Sequence, residues 1–274
     1  MTPGDASPRA ALVDTADKAL LARHNPWSLT GVPMDAARPG AYVQRPGPWF
    51  RSDRGDFAWA SLGMLVDHGL SMVLLDGHPP GMNGMVTTEL SIDFAPGIEP
   101  ADGAFDLDTH VVGTSPAGGL STGQVRDAAG AVIATASLSG RYLPVPEGGY
   151  FEMPRAPEET VPLSAMLPMP LEATGDGVIG TLASPRWLAN PRGIMHGGIH
   201  TIALERVARE AIGDEPWRPA SIRVAFLRGI PVDDELTVTA TRVHSGRSLA
   251  VVRSESRRLD GKLAGVATIS YALR

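Results

Sequence analysis

Two stretches of the chain, TTELSIDFAPGIEPADGAFDLDTHVV at residues 87–112 and PASIRVAFLRGIPVDDELTVTATRVH at residues 219–244, repeat one pattern at an offset of 132 residues. The residues that this offset superposes are Leu90 on Ile222, Ile92 on Val224, Phe94 on Phe226, Gly97 on Gly229 and Asp102 on Asp234. Two β-rich runs follow each stretch, and the turns at 127–130 and 260–261 between those runs fit tight hairpins. Alternating runs separated by Gly, Asp and Pro predict an antiparallel meander in each half. The repeat therefore indicates an internal duplication.

A long helical segment precedes the strands in each half. The first is FAWASLGMLVDHGLSMVLL at residues 57–75, followed by Asp76–Gly77, and the second is GGIHTIALERVAREAI at residues 197–212, followed by Gly213. A glycine just past the last periodic residue is a typical helix end. The first segment is apolar almost all round, which predicts a buried helix, whereas the second is amphipathic.

A proline-rich segment separates the two halves. Seven prolines lie between residues 144 and 170, and because proline fixes φ and removes a backbone donor, we predict a linker there without regular structure. Within the first 40 residues, ALVDTADKALLAR is either an added amphipathic helix or a mobile extension. The predicted organisation is an N-terminal extension at 1–40, a first repeat at 41–143, the linker at 144–170 and a second repeat at 171–274.

The composition is that of an ordinary globular protein. Of the 274 residues, 43% are hydrophobic and 20% are charged, which suffices for a substantial core. The absence of cysteine excludes disulfides, thiolate metal sites and cysteine nucleophiles. A net charge of −6 argues against a nucleic-acid partner, since phosphate neutralisation supplies most of that affinity. The apolar runs are too short to span a membrane and residues 1–11 lack a secretory signal, so we expect a soluble, cytoplasmic protein.

The string NPRGIMHGG, at residues 190–198, lies at the start of the second helix. It resembles the signature of hotdog acyl-CoA thioesterases of the phenylacetate-degradation and 4-hydroxybenzoyl-CoA types, in which an acidic residue follows the histidine of HGG by nine positions. Here that histidine is His196 and the acidic residue is Glu205. A helix before four strands, present twice, likewise resembles the hotdog fold. The resemblance implies an α+β fold, a tandem (double) hotdog in which each antiparallel sheet wraps around a long central helix.

The first half departs from that signature, because Ala58-Trp59-Ala60 replaces the HGG. Over residues 85–143 it is instead similar to the second repeat of acyl-CoA thioesterase II enzymes, which uses an acid, a Thr or Ser, and a Gln. Asp67 matches the acid and Thr87 matches the Thr, but the Gln position holds Leu138. We therefore do not expect a self-contained site in this half.

Helix geometry indicates which groups can cooperate. Nine residues of helix rise about 13.5 Å, so Glu205 lies too far along its own helix to serve a carbonyl held at Gly197. Two antiparallel helices about 8–10 Å apart would instead place Asp67 beside Gly197 and Gly198, and Glu205 beside Trp59. This arrangement is what the resemblance to hotdog dimers implies. Because the bulky Trp59 obstructs the second of these places, we predict one working site per chain.

We therefore expect hydrolysis of a small or medium acyl-CoA thioester, without a cofactor or metal. Asp67 is the expected general base or nucleophile, and backbone N–H groups of Gly197 and Gly198 form the expected oxyanion hole. His196 and Asn190 complete the candidate catalytic set. The candidate substrate-binding residues are Ser71, Thr87, Trp59 and Glu205. The expected partner is an acyl-CoA, with no nucleic acid and no membrane, and a homo-oligomer is left open.

Several of these residues also have a purely structural interpretation. Arg209 stands four residues after Glu205 and is expected to hold its carboxylate as an ion pair and lower its basicity. The other structural alternatives are that a hydroxyl or His68 holds Asp67, that His196 only fastens the helix start, and that Asn190 is a turn residue before Pro191. His196 and His200 lie four residues apart but lack the glutamate of an HExxH zinc motif.

Two other functions remain open. A hotdog hydratase or dehydratase would pair an Asp and a His on one segment, and Ala189, which precedes Asn190, argues against it. A non-catalytic acyl-CoA binder or sensor would keep the pocket and lose the chemistry. Release of free thiol from an acyl-CoA discriminates the binder from the enzyme.

Overall fold

Eleven antiparallel strands form one continuous sheet within the computed structural model, which describes residues 25–32, 41–52, 55–145, 162–213 and 217–273. The strands are β1 (Ala41–Gln44), β2 (Gly84–Phe94), β3 (Phe105–Ser115), β4 (Gly118–Arg126), β5 (Val132–Leu143), β6 (Leu171–Ala173), β7 (Gly177–Ala183), β8 (Trp217–Phe226), β9 (Glu235–Ser245), β10 (Leu249–Arg258) and β11 (Leu263–Leu273).

The sheet extends outward from a central pair of strands. Its order is β1-β3-β4-β5-β2-β8-β11-β10-β9-β7-β6, so β2 and β8 meet in the middle. Along this pair Leu90 lies opposite Val224, and Ile92 lies opposite Ile222, all of them buried. The two repeated stretches therefore pair with each other through the same superposed positions. In each half the last three strands form a meander, β3-β4-β5 and β9-β10-β11, but the predicted four-strand meander is wrong for the first strand, since β2 pairs with β5 and β8 pairs with β11. The connections at residues 95–104 and 227–234 are longer than a tight turn and carry the second strand to the far side of the meander.

The turns and the sheet edges complete this picture. Gly130 and Gly261 have positive φ angles of 83° and 77°, as the tight hairpins predicted at these turns require. β1 adds to one edge of the sheet, and β6 and β7 add to the other. The sequence repeat did not predict these three strands, because they lie outside the repeated stretches.

Four α-helices are described, and the two long ones lie against the sheet. α2 (Gly63–Leu75) contacts β3 and β4, α4 (Gly197–Ala211) contacts β9 and β10, and the two helices contact each other. α4 begins at the predicted residue and ends one residue earlier than predicted. The helices are α1 (Pro26–Leu29), α2 (Gly63–Leu75), α3 (Leu163–Met166) and α4 (Gly197–Ala211), with short 3-10 helices at Pro48–Phe50, Trp59–Leu62 and Arg186–Leu188.

The first long helix starts later than the sequence predicts. The expected span of residues 57–75 begins as a 3-10 turn at Trp59–Leu62, and α-helical geometry starts only at Gly63. Phe57 pairs with Arg51 in an isolated β-bridge, which keeps the backbone extended before the turn. The apolar periodicity of residues 57–75 could not predict this bridge, because the partner residue, Arg51, lies outside that segment.

α2 is the buried helix that its composition predicts. Every residue from Gly63 to Leu70 is buried, and Leu65 and Leu74 are fully enclosed. Burying one such side chain stabilises the folded state by about 1.5–3 kcal/mol. Asp67 is only 4% exposed in this apolar setting, so its carboxylate needs hydrogen-bond donors.

The predicted extension and linker are described only in part. The candidate helix at 11–23 and residues 146–161 of the linker lie outside the described residues. α1 belongs to the extension, and its Trp27 is buried in the core. α3 lies in the linker, against the expectation that this range holds no regular structure. The helix can form there because Pro162 stands before its first residue, where a missing N–H costs no helical hydrogen bond.

Candidate active site

Helices α2 and α4 run antiparallel where they touch. A side chain added at Gly63 would meet Thr201, whereas Asp67, one turn further along α2, meets Gly197 at the start of α4. Later residues of α2 therefore contact earlier residues of α4, which is the predicted antiparallel arrangement. A Cβ atom at Gly198 would lie 2.7 Å from the carbonyl oxygen of Gly63, so only glycine permits this approach.

Asp67 is held at this crossing by donors from β2 and from the start of α4. The Thr87 hydroxyl of β2 donates to Oδ1 at 2.7 Å, and the Gly198 N–H donates to Oδ2 at 3.0 Å. His196 places its Nδ1 atom 3.1 Å from Oδ2. The Ser71 hydroxyl lies 3.3 Å from that of Thr87 and extends the chain of polar groups. The first half and the second half therefore both contribute to the surroundings of this carboxylate.

These contacts determine the charge of Asp67. Burial on its own would raise the pKa of the carboxyl, since it disfavours the charged form. The hydrogen bonds from His196, Thr87 and Gly198 outweigh burial, so the pKa of Asp67 lies below its usual value. The side chain is consequently a carboxylate throughout the neutral pH range.

His196 links the start of α4 to this carboxylate. It is the N-cap residue of the helix, and its Nδ1 atom also lies 3.1 Å from the Gly198 nitrogen. A carboxylate cannot donate a hydrogen bond, so the short contact with Asp67 requires a proton on Nδ1, and a protonated Nδ1 cannot also accept the Gly198 N–H. The Gly198 N–H then donates to Asp67, and His196 acts on the helix start through the carboxylate that both contact.

A second histidine, His68, adjoins the site but does not hold Asp67. Its Nδ1 atom accepts a hydrogen bond of 2.7 Å from the Trp27 indole, which rules out the structural alternative in which this nitrogen serves Asp67. Burial and the nearby His196 lower the pKa of His68 to about 3, so its ring is neutral. Trp27 also lies edge-on to the His196 ring, with centroids 5.1 Å apart.

A cavity of about 480 Å³ opens beside this cluster, within the range typical of ligand sites. Asp67, His196 and Gly197 line it, whereas Gly198 does not. Its apolar wall is formed by Trp27, Met72, Leu75, Met85, Val86, Phe226 and Ile230. The wall of a largely apolar cavity therefore includes an ionised carboxylate and a helix N-terminus.

Asn190 serves the turn that leads into α4. Its side-chain oxygen accepts a hydrogen bond of 2.9 Å from the Arg192 N–H, and its carbonyl accepts one from the Gly193 N–H. Gly193 has a positive φ of 70°, which favours glycine in this turn. Asn190 also lines the cavity, so the turn and the cavity wall are built by the same residue.

Glu205 lies in a much smaller space on the other side of the helix crossing. It shares a cavity of about 60 Å³ with Trp59, which confirms that the antiparallel helices bring these two residues together. The Tyr271 hydroxyl donates to Oε1 at 3.2 Å. The Arg218 guanidinium stacks over the Trp59 ring at 3.9 Å and keeps that side chain in place. So small a cavity accommodates water but not an acyl thioester.

Arg209 acts on the pKa of Glu205 in the expected direction, but burial outweighs it. Burial raises the pKa of Glu205 to about 7, although Arg209 and the Tyr271 hydroxyl both act to lower it. The sequence places Arg209 four residues away but does not reveal how completely the carboxyl leaves water. Desolvation of the charged form therefore exceeds the ion-pair attraction.

This shift predicts a pH-dependent stability that Glu205→Gln removes. A carboxyl whose pKa is raised from 4.5 to about 7 on folding stabilises the folded state fully below pH 4.5, and this stability is lost as pH rises through 7. We therefore expect the free energy of unfolding of the variant, relative to that of the wild-type protein, to be about 1–3 kcal/mol higher at pH 8 than at pH 5. Urea unfolding at the two pH values measures this difference. Equal differences at both pH values would contradict the shifted pKa.

Family models of two thioesterase domains match the two halves of the chain. The acyl-CoA thioesterase N-terminal domain matches residues 184–273, and the acyl-CoA thioesterase C-terminal domain matches residues 4–139. The chain belongs to the acyl-CoA thioesterase family. The thioesterase carries the two domains in the reverse order, because its first half matches the C-terminal domain. Asp67 and Thr87 lie in that half, in agreement with its resemblance to a second repeat.

Solved structures share the hotdog fold with this thioesterase. A tesB protein from Mycobacterium avium subsp. paratuberculosis has a TM-score of 0.62 at 12% identity, with 94% of this chain and 98% of that chain covered. A protein with hot dog fold from Alicyclobacillus acidocaldarius has a TM-score of 0.59 at 16% identity, with 90% of this chain and 97% of that chain covered. A 12:0-ACP thioesterase from Umbellularia californica has a TM-score of 0.58 at 11% identity, with 85% of this chain and 94% of that chain covered. No curated protein sequence matches significantly.

Two further observations concern metals and membranes. Among the described residues, no group of three or more His, Asp or Glu side chains is placed to hold a metal ion. His200 instead hydrogen-bonds the Ser256 hydroxyl at 2.7 Å, and burial lowers its pKa to about 4. No helix in the described part of the thioesterase is long and apolar enough to cross a membrane.

Sequence reasoning missed two residues that adjoin the site. Trp27 lies in the predicted extension, and nothing in its neighbourhood of the sequence indicates a contact with residue 68. Arg192 stands inside the motif string itself, and its charge is the signal that could have drawn attention to it.

Proposed function

We propose that the chain hydrolyses a small or medium acyl-CoA thioester in the cavity beside the α2–α4 crossing. The observation that carries this proposal is an ionised, buried carboxylate, Asp67, held against the N-terminus of α4 in the wall of a largely apolar cavity of about 480 Å³. We further propose that the fold is a tandem hotdog, with repeats at 41–143 and 171–274, a linker at 144–170 and an N-terminal extension at 1–40.

In this proposal the reaction needs a carboxylate and an oxyanion donor. Asp67 takes a proton from water as the water oxygen attacks the thioester carbonyl, or attacks that carbonyl itself and forms an anhydride that water then cleaves. In either route the carbon–sulfur bond breaks and the CoA thiolate leaves. Oxygen from labelled water that enters the Asp67 carboxylate during turnover would identify the anhydride route.

The residues around Asp67 are proposed to stabilise the oxyanion and to position the water or the substrate. Gly198 already donates its N–H to Asp67, so the oxyanion role expected of both glycines falls to Gly197. Gly197 is the first residue of α4, whose N–H has no partner inside the helix, and it lines the cavity. Ser71 and Thr87 are placed to position the water or the substrate.

His196 is a second candidate for the base. Its Nδ1 contact with Asp67 resembles the arrangement in which a carboxylate orients a histidine whose other nitrogen takes a proton. The pH profile of kcat/KM separates the two. Loss of activity only below the usual range of an aspartate pKa favours Asp67, since its pKa is lowered, whereas an acidic limb near neutral pH favours a histidine.

The proposed function is tested with a panel of acyl-CoA thioesters and colorimetric detection of free CoA. Turnover of short and medium acyl groups supports the proposal and reports the chain length that the cavity accepts. Tight binding of acyl-CoA without release of CoA would instead support the non-catalytic binder. Addition of water to an enoyl-CoA without thiol release would support the hydratase.

We also expect one working site per chain, so Glu205→Gln should keep kcat within about threefold of the wild-type value. The carboxyl lies in a space too small for a thioester, against the bulky Trp59. Side-by-side rates of Glu205→Gln and Asp67→Asn measure this. A collapse of kcat in Glu205→Gln alone would show that the catalytic carboxylate belongs to the second half.

A further inference from the structure

The residues that line the large cavity differ widely in their exposure. The exposed ones come from two places, Arg141 on β5 and residues 227–229 after β8, and we call the part of the cavity that they line the mouth. Trp27, Asp67 and His196, which also line the cavity, are each no more than 5% exposed. The cavity therefore has a mouth that is open to water and a buried part that contains Asp67.

Trp27 forms a bulky section of the wall in the buried part. Its indole lies edge-on to the His196 ring, with centroids 5.1 Å apart, and His196 contacts the Asp67 carboxylate at 3.1 Å. The indole N–H also donates to His68 Nδ1 at 2.7 Å. The indole is thus separated from the Asp67 carboxylate by a single side chain, so the space between them is short.

The helix α1, which carries Trp27, is fastened to the rest of the fold. Leu29 is fully buried, and the Gln44 side-chain amide of β1 donates to the Thr30 carbonyl at 3.0 Å. The hydrogen bond to His68 fixes the direction of the indole itself. Because close-packed interiors resist displacement, a side chain held by these contacts is a fixed wall for a substrate.

The exposure of the wall determines how an acyl thioester enters the cavity. The carrier that bears the thioester is polar and charged, and it stays at the mouth because burial of unpaired charge is costly. The acyl group is the apolar part, and its transfer from water into the buried part is favourable. Beyond the carbonyl that Asp67 would meet, the acyl chain therefore extends toward Trp27.

We propose that Trp27 sets the upper limit on the length of the acyl group, and that this limit is a short chain. The inference rests on the proposed thioester hydrolysis and narrows its substrate class to short acyl groups. Trp27 acts as a specificity-determining residue, because its indole occupies the space that the terminal carbons of a longer chain need. The residue precedes β1 and lies outside the two proposed repeats, so a segment added to the duplicated fold supplies the limit.

The test compares straight-chain acyl-CoA thioesters from butyryl to dodecanoyl on the wild-type protein, Trp27→Phe and Trp27→Leu. We expect the wild-type kcat/KM to be highest for the short chains. In Trp27→Leu, the ratio of kcat/KM for octanoyl-CoA to that for butyryl-CoA should rise on the order of tenfold, because each methylene that gains a buried place contributes about fourfold. Trp27→Phe, which keeps a smaller ring, should show a smaller rise.

Trp49→Leu is the matched control for this series. Trp49 is fully buried in the core and does not line the cavity, so the same exchange should lower thermal stability without changing the preferred chain length. Trp27→Phe keeps most of the buried ring and decides the question if Trp27→Leu does not fold. Equal relative rates on all chain lengths in the wild-type protein and the folded Trp27 variants would overturn the proposal, as would a wild-type preference for the longest chains.

A binding measurement keeps this inference separate from the proposed function. Calorimetric titration uses butyryl-CoA and octanoyl-CoA analogues in which a methylene group separates the carbonyl from the sulfur, so hydrolysis is impossible. Tighter binding of the octanoyl analogue to Trp27→Leu than to the wild-type protein, with the butyryl analogue bound as before, supports the limit even if no thioester is cleaved. Unchanged binding of both analogues would overturn the role of Trp27 and leave thioester hydrolysis intact.

Discussion

Asp67→Asn is expected to lower kcat by on the order of 10²-fold or more, because the amide can neither take a proton from water nor attack the thioester. The exchange preserves the size of the side chain, and Thr87 can still donate to the amide oxygen. The Gly198 N–H and the His196 Nδ1–H would then face an amide N–H, so a modest loss of stability is also expected. Turnover of the best acyl-CoA in the panel, with thermal unfolding in parallel, measures both effects.

The control for this experiment is Asp93→Asn. Asp93 is an exposed strand residue that pairs with Arg223 away from the cavity, so its loss should leave kcat unchanged. A folded Asp67→Asn protein that retains kcat within about threefold of the wild-type value would remove Asp67 from the reaction. His196 would then be the remaining candidate for the base.

Gly198→Val is expected to destabilise the fold by about 3 kcal/mol or more, which is a large part of the stability of a typical domain. A Cβ atom at this position would lie 2.7 Å from the Gly63 carbonyl oxygen and equally close to the Met64 Cα, both of them backbone atoms. The two long helices would have to separate, and Asp67 would lose the N–H donor that holds it. Urea unfolding monitored by circular dichroism measures the loss.

Gly113→Val provides the matched control for that substitution. Gly113 lies on β3, and a Cβ atom there would have nothing within 4 Å, so the same change of side chain meets open space on a strand that suits valine. We expect near-wild-type stability for this variant. Wild-type stability in Gly198→Val as well would show that the helices tolerate a wider separation than their contact indicates.

The motif and the structure give different reasons why residue 198 is a glycine. The HGG string suggests that both glycines make room for a ligand at the helix start. Gly197 does line the cavity, but Gly198 faces the other helix and is glycine because two backbones meet there. A motif shows which residue types occur together, and it does not show which neighbour each one accommodates.

Much of the architecture could be predicted from the sequence, because local periodicity indicates the strands and the long helices. Alternation of apolar residues, turn glycines such as Gly130 and Gly261, and the 132-residue repeat predicted the strands and the pairing of the last three in each half, but not the pairing of the first strand with the last. Helix rise and the antiparallel arrangement implied by the resemblance brought Asp67 to Gly197 and Gly198. These inferences need only the chain itself and fixed helix dimensions.

Only the tertiary structure decided the features that depend on groups far apart in the chain. The β-bridge between Arg51 and Phe57 delays the start of α2, and Trp27 crosses from the extension to His68. Glu205 has a raised pKa despite Arg209, because enclosure by both halves removes it from water. Desolvation and close approach are properties of the assembled core, so the sequence determined which residues are present and the fold determined their charge, their exposure and their neighbours.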